Sequence, residues 1–405
     1  MNLIITEQGG SIICALYDDK RMVQVDRISS SDKPAAGSVY LGKVKNIVPN
    51  INAAFIDIGI GELCFMQLSE RIGKAPAYKR GGELVKLCRE DEVVVQYVRE
   101  GIKTKQPVVS TDITLTGRYI IKTSKNEVSI SSKIKDKQRR KELTGWLTDN
   151  NIVTVSCDNS DNSGYIVRTN AVSVSKEKLL CEKEYLDSIY NDISKKAGHA
   201  AVFSCLYHAP DELISIVRDG YISEVDRIIT DDMSIYNKLE EYGKETGAEL
   251  LTKLEYYKDT YSLSALYALE ANLKNALNKK VWLKSGAYLI IEPTEACTVI
   301  DINSGKAIAG KKNKEDTIYK INIEAAHEIT RQLRLRNISG MIIADFIDME
   351  SKEHQDMLIS RLKELVSTDP VKTTVVDITK LGLVEMTRKK VKKSVYEQWQ
   401  LLINM

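Results

Sequence analysis

The sequence predicts a multidomain α/β protein, on three observations. Short strands with glycine at their turns crowd residues 39–98. Helical periodicity takes over from residue 177. Two apolar strands further on each end in an aspartate, with an amphipathic helix between them. At 405 residues the chain can build several domains with sizeable cores. Its 43% hydrophobic and 28% charged residues are the balance of a soluble globular protein. Lys and Arg number 58 against 56 Asp and Glu, so the net charge of +2 names no partner and only local clusters can. Seven cysteines, at positions 14, 64, 88, 157, 181, 205 and 297, form no C-x-x-C pair, which argues against a disulfide framework or a zinc site. The N-terminal segment lacks the basic start and apolar core of a signal peptide. No apolar run nears the roughly 18 residues of a membrane helix. A cytoplasmic protein without membrane association is expected.

Along the chain, "LIIT" and "SIICALYDD" alternate around the turn "EQGG", so residues 1–30 read as a hairpin. "SSSDKPAAG" (29–37) has the composition of a linker. "VYLGKVKNIV", "AAFIDIG", "ELCFMQL" and "EVVVQYV" are short strands with close turns, which suggests a small barrel of the OB type. Residues 118–175 read as further strand, broken by the polar loop "CDNSDNSG" (157–164). "KLLCEKEYLDSIYNDISKKAG" and "APDELISIVRDG" are helical, "YISEVDRIIT" is strand-like, and 262–280 is a helix. "VWLKSGAYLIIEPTEACTVIDINSG" reads as a hairpin with a further strand. In 317–336, Ile318, Ile321, Ala325, Ile329 and Leu333 share one helical face, and Asp316 can cap the N-terminus. Strand, crossover helix and strand make a βαβ unit with parallel strands. Their C-terminal ends then share one sheet edge, where ligands of open α/β sheets bind.

That topology brings Asp301 and Asp345 together from 44 positions apart. Two adjacent carboxylates repel and need a shared proton or a cation between them. Oxygen ligands favour a hard cation, Mg²⁺ or Mn²⁺. Asn303, two residues after Asp301, can hold a ligand or a water. Lys306, Lys311, Lys312 and Lys314 follow in the loop, and Arg331, Arg334 and Arg336 come later, so the surroundings read as basic. A cation held by carboxylates among basic side chains suits a phosphodiester. The alternative is that both aspartates merely cap turns or helices. Asp348 is expected in a supporting role, and Asp377, ending "TTVVD", is a weaker candidate for a third acidic ligand.

"DINSGKA" followed by "NIEAAHEITRQLRLRNISGMIIADFIDM" resembles the catalytic core of the ribonuclease E/G family of bacterial endoribonucleases. The likeness extends upstream through "GSVYLGKVKNIVPNINAAFIDIG", "GYIVRT" and "PTEACTVIDIN", and downstream to "TKLGLVEMTRKK", covering about residues 36–395. The resemblance implies an RNase H-like subdomain from 1–35 and 215–280. Into it are inserted an OB-fold RNA-binding domain of the ribosomal-protein-S-one type at 36–124 and a 5′-sensor domain at 125–214. A DNase I-like α/β catalytic domain follows at 281–405. It further implies that Asp301 and Asp345 coordinate Mg²⁺, that Asn303 assists at the scissile phosphate, and that hydrolysis leaves a 5′-phosphate and a 3′-hydroxyl. Arg168 and Thr169 of "GYIVRT" would grip a 5′-monophosphate, Arg168 bidentately. Phe55 and Phe65, two of only four phenylalanines, would stack on RNA bases beside Lys43, Lys45 and Lys105. Alternation in "AAFIDIG" independently places Phe55 opposite Ala54, Ile56 and Ile58; filling of the barrel core is the other reading for both rings.

Three departures from the family pattern shape the expectation. No C-P-x-C zinc link follows the catalytic region, so zinc is not expected and any homodimer would use other contacts. Lys380 stands where an arginine is common, keeping charge but losing the bidentate fork. There is no long disordered tail. "RKKVKK" (388–393) can track a phosphate backbone or be a solvated helix face. The expected function is a metal-dependent endoribonuclease acting on single-stranded RNA; the alternative is an RNA-binding protein with little or no cleavage. A phosphatase of small molecules is disfavoured because it would have no use for a base-stacking barrel.

Overall fold

The computed structural model describes the chain apart from residues 30–33, 69–86, 102–105, 126–127, 132–133, 135, 150–163, 219–224, 247, 308–313, 380 and 404–405. It is a mixed α/β protein of two units, residues 1–30 with 220–405 and residues 31–219. Among the described residues no helix is long and apolar enough to cross a membrane.

In the first unit the N-terminal residues form three antiparallel strands, Asn2–Gln8, Ser11–Asp18 and Arg21–Ser29, not the expected hairpin alone. Gly9 and Gly10, at φ 57° and 70°, make the two-residue turn that matches strand twist. Arg227–Thr230 and Leu254–Tyr256 add parallel strands to complete a five-stranded sheet. The expected helix over 262–280 is broken into Leu263–Leu266 and Leu269–Leu277 by Ala268 at φ 47°. The break is supported from both sides: the Tyr267 carbonyl accepts from the Tyr17 hydroxyl outside the helix and from the Asn272 amide within it, both at 3.0 Å. Leu263, Leu269 and Leu273 then pack on Ile4, Ile13 and Tyr17.

The second sheet of this unit runs in the order Lys280–Trp282, Tyr288–Pro293, Cys297–Asn303, Gly340–Asp345, Val384–Arg388, Thr373–Ile378. Alternation gives it two unlike faces. Leu289, Ile291, Ile300, Ile302, Ile342, Ala344, Val384 and Met386 point into a core closed by the helices Lys314–Leu335 and Lys352–Ser367. Residues between them in sequence, such as Val299, Asp301, Asn303, Met341 and Asp345, face outward. The predicted helical stripe is observed, with Ile321, Ala325, Ile329 and Leu333 no more than 2% exposed. Asp316 lies inside the first turn of that helix, because the helix starts two residues before it, at Lys314, so it is not the cap.

The second unit holds a closed five-stranded barrel of Val39–Val48, Ala53–Asp57, Leu63–Gln67, Val108–Ser110 and Glu92–Arg99, with the last pairing back to the first. A four-stranded sheet of Val128–Ile130, Gly164–Val167, Ile120–Thr123 and Thr114–Thr116 lies against Lys176–Ala197. The expectation of strand throughout 118–175 fails at the helix Lys137–Asp149. Among its described residues Leu143, Trp146 and Leu147 mark the buried side, a thin stripe in a polar run, although Asp136 accepts from the Gln138 and Arg139 amides as a cap should.

The basic run at 388–393 is not a helix, and three of its five basic side chains are paired within the fold. Arg388 ends a strand, buried with Asp369 in a two-pronged pair at 2.7 and 3.2 Å. Lys392 pairs with Asp26 at 3.2 Å and Lys390 with Glu397 at 3.5 Å. Asp369→Asn strands the Arg388 cation in the interior and should lower stability by about 3–5 kcal/mol, read as a lower urea midpoint at unchanged slope. A double replacement by leucine and methionine should recover most of the loss. Equal losses in the two variants would show that the pair is not what holds the segment.

Candidate active site

Asp301 and Asp345 are register partners on adjacent parallel strands, so their backbones stand one strand spacing apart, about 4.8 Å. Both side chains lie on the open face, because Ile300, Ile302 and Ala344 take the core face. Asn303 shares that face and donates from its amide to the Asp301 carboxylate at 2.5 Å. Burial raises the Asp345 pKa, and the negative charges of Asp301 and Asp348 raise it further. The pair therefore repels, and a cation would relieve it.

The segment after Asp345 is held by the crossover helix. The buried Asn322 amide donates to the Ile347 carbonyl at 2.8 Å, while its oxygen accepts from the Ile347 amide at 3.1 Å. Glu315 accepts from the Glu350 and Ser351 amides and contacts His354, whose ring stacks on Tyr319. Those donors, led by the Ser351 amide, hold Glu315 below the usual carboxylate range. Sequence reading missed both clamps. The signal for one was present, a polar Asn322 beside the apolar stripe residue Ile321.

The basic surroundings are smaller than the sequence suggested. Exposed Lys306 and Lys314 flank the loop that leaves the site; Lys311 and Lys312 lie outside the described residues. Arg331, Arg334 and Arg336 belong elsewhere. Their helix runs 22 residues back across the sheet, about 33 Å at 1.5 Å per residue, so its last turn is at the opposite edge. There Arg331 holds Glu328 and the Met22 carbonyl, Arg334 the Gln24 side chain, and Arg336 the Gln332 side chain. Asp377 pairs with Glu385 on the edge strand, two strand intervals or about 10 Å from the strand of Asp345, and is too remote to share an ion with the pair. Lys380 lies outside the described residues.

In the barrel, Phe55 and Phe65 are register partners on neighbouring strands and meet edge to face, with centroids 6.2 Å apart. Both are half-buried, while Ala54, Ile56, Cys64 and Met66 fill the core, so the rings lie on the outer wall. Lys43 is tied to Glu90 at 2.7 Å, and that hydrogen bond raises its pKa. Lys45 stands 4.0 Å from Asp57, and Lys105 lies outside the described residues. In the neighbouring sheet Arg168 donates to the Gly117 carbonyl at 2.6 Å, and its charge lies close enough to Glu182 to pull down a carboxyl that burial pushes up. Exposed Thr169 shares a hydrogen bond with Ser131 at 3.1 Å. The adjacent Arg168 and Thr169 thus reach the end of a strand together, with the arginine already partly engaged.

The donor set at the sheet edge suits a hard cation: two carboxylates and an amide, all oxygen ligands. Among the described residues no group of three or more His, Cys, Asp or Glu converges on a metal-sized site. A two-carboxylate set is nonetheless what Mg²⁺ uses when it keeps several waters. The sequence model of the Ribonuclease E/G family matches residues 114–391. This chain belongs to that family. Ribonuclease G of Escherichia coli (strain K12) is 35% identical over 368 residues, 89% of this chain and 73% of the relative. Ribonuclease G of Haemophilus influenzae is 34% identical over 384 residues, 93% and 76% of the two chains. Ribonuclease E of Nostoc sp. is 32% identical over 403 residues, 98% of this chain but 56% of that protein. Family membership agrees with the resemblance carried by the motifs around Asp301 and Asp345.

With divalent ions chelated at pH 7, Asp345→Asn should melt slightly above the wild type. A carboxyl whose pKa the fold raises is stabilising when protonated and destabilising once ionised, so the gap should close below about pH 4. Added Mg²⁺ should raise the wild-type melting temperature and leave the variant unmoved. Identical Mg²⁺ shifts in the two proteins would remove Asp345 from the cation site.

Proposed function

We propose that this protein is a Mg²⁺-dependent endoribonuclease of single-stranded RNA, acting in RNA processing or decay, with Mn²⁺ able to substitute. The observation that carries the reading is the register pairing of Asp301 with Asp345 beside Asn303 on an open sheet face. Asp301 and Asp345 would hold the cation, while Asn303 fixes the Asp301 carboxylate and orients the scissile phosphate. When bound, the cation would acidify a water and offset charge developing on the phosphate. Net hydrolysis joins a water oxygen to phosphorus and breaks the P–O3′ bond, with a proton passing to the departing oxygen. The products are a 5′-phosphate and a 3′-hydroxyl. Lys380 contributes positive charge to the RNA backbone.

The rest of the proposal follows family membership. Phe55 and Phe65 stack on bases, with Lys43 and Lys105 beside them, and Arg168 with Thr169 receives a 5′-monophosphate. The RNase H-like (1–35, 215–280), OB (36–124), 5′-sensor (125–214) and DNase I-like (281–405) assignments belong to the same reading, as does a homodimer without a zinc link.

The test is cleavage of a short A/U-rich RNA with a 5′-monophosphate, in Mg²⁺ and in EDTA. Asp301→Asn and Asp345→Asn should each lose at least about a hundredfold in kcat/KM while still binding RNA. If the wild type binds RNA and never cuts it, the protein is an RNA-binding relative and the carboxylates are structural. Arg168→Ala should erase a roughly ten- to hundredfold advantage of 5′-monophosphate over 5′-hydroxyl substrate. An unchanged advantage would relocate the sensor.

A further inference from the structure

The open face that carries the carboxylates continues across two more strands. Register sets out its rows: Asp345 with Asp301, Asp301 with Ile290, and Ile290 with Lys280. One pleat further toward the active edge, Asn303 pairs with Tyr288, and Tyr288 with Trp282. Trp282 is therefore two strand intervals from Asn303, about 10 Å, on the same side of the sheet.

Trp282 is 64% exposed, whereas the other two tryptophans, Trp146 and Trp399, are 3% and 8% exposed. A large aromatic ring left in water forgoes the burial that normally holds it in a core. Here it is built into a corner. The Trp282 and Tyr288 rings meet at 63° with centroids 5.2 Å apart, and the Lys280 ammonium lies 4.0 and 3.6 Å from the two centroids. The corner is tied to the active loop. Gly305, at φ 55°, packs so closely that a Cβ there would meet the Gly286 carbonyl at 2.8 Å and the Tyr288 ring at 3.7 Å. The tight approach at Gly305 is to the Gly286 carbonyl, two residues before Tyr288, so the loop after Asn303 and the turn before Tyr288 lie side by side.

We propose that Trp282, backed by Tyr288 and Lys280, is a stacking platform for a nucleobase adjoining the phosphate that is cut. The chemistry is suited to RNA and not to a protein partner. The Trp282 face turned away from Lys280 can receive any base, and the lysine behind it adds positive charge near the phosphate backbone. The platform rests on the reading of Asp301 and Asp345 as the cleavage site. It differs from the barrel phenylalanines in holding the base at the chemistry, so it acts on the register of the cut.

The test uses the full chain and RNA substrates with a single abasic position, moved one nucleotide at a time across the cut. For the wild type, the abasic site that empties the platform should lower kcat/KM by about five- to a hundredfold. Trp282→Ala should lose a similar factor on intact RNA and nothing more on that abasic RNA, whereas Trp282→Phe should keep most activity. Independently, RNA added in EDTA should quench the exposed-tryptophan fluorescence of the wild type and not of Trp282→Phe. Additive losses at every abasic position, or quenching that survives Trp282→Phe, overturn the platform. A wild type that quenches through Trp282 but never cuts keeps the platform and sinks the cleavage assignment instead. A Trp282→Ala loss with no abasic coupling would mark an ordinary structural or subunit contact and reject the proposal.

Discussion

The parallel pairing of Cys297–Asn303 with Gly340–Asp345 is the constraint on which the site depends. A slip of one residue would send Asp345 into the apolar core and Ala344 onto the open face. What prevents the slip is the alternation itself, since Ile300, Ile302, Ile342 and Ala344 must all meet the crossover helix. The carboxylates are close because the hydrophobic residues between them have nowhere else to go. Burial first, and then the neighbouring charges of Asp301 and Asp348, raise the Asp345 pKa, so the proximity of the two carboxylates is imposed by packing and not chosen by the side chains. Asn322 and Glu315 then fix the chain just beyond Asp345 from the same helix that sets the register.

The βαβ unit was legible because its signals are local: two apolar runs of period two around a helix with a clean apolar stripe. What escaped reading was anything set by distance along an element or by pairing between distant segments. Arg331, Arg334 and Arg336 look adjacent to the loop lysines in sequence, but the helix carries them to the far edge, where they bind Glu328, Gln332 and the strand Arg21–Ser29. Lys137–Asp149 hid behind a sparse apolar stripe. Trp282 gave no local hint, because its relation to Asn303 passes through two strand pairings that only the folded sheet displays. The break at Ala268 likewise needs Tyr17, some 250 positions away.

Under the proposed function, charge and aromatic surface would divide the work of holding RNA unevenly. Lys43 is committed to Glu90, Lys392 to Asp26 and Arg388 to Asp369, so several cations that composition would assign to phosphate are already neutralised by the fold. The aromatic pairs keep more of their surface free, although Lys280 lies over the Trp282 and Tyr288 rings. Phe55 with Phe65 and Trp282 with Tyr288 both join register partners on neighbouring strands, and both stand off their cores.

The two aromatic corners also differ in what they can control. A ring pair on the barrel wall can hold a strand without deciding where it is cut. A ring on the carboxylate face can decide it, because Trp282, Tyr288 and Asn303 form one row of one rigid sheet, and a base seated at one end fixes the phosphate reaching the other. Position is worth more than affinity at this point: a small displacement of the reacting phosphate costs far more rate than binding energy. Selection of the cut by a base-tolerant stack would make the enzyme sensitive to an unpaired, accessible base and indifferent to which base it is. Single-strandedness would then be read at the active site itself, by the requirement that a neighbouring base be free to leave its own stack and enter this one.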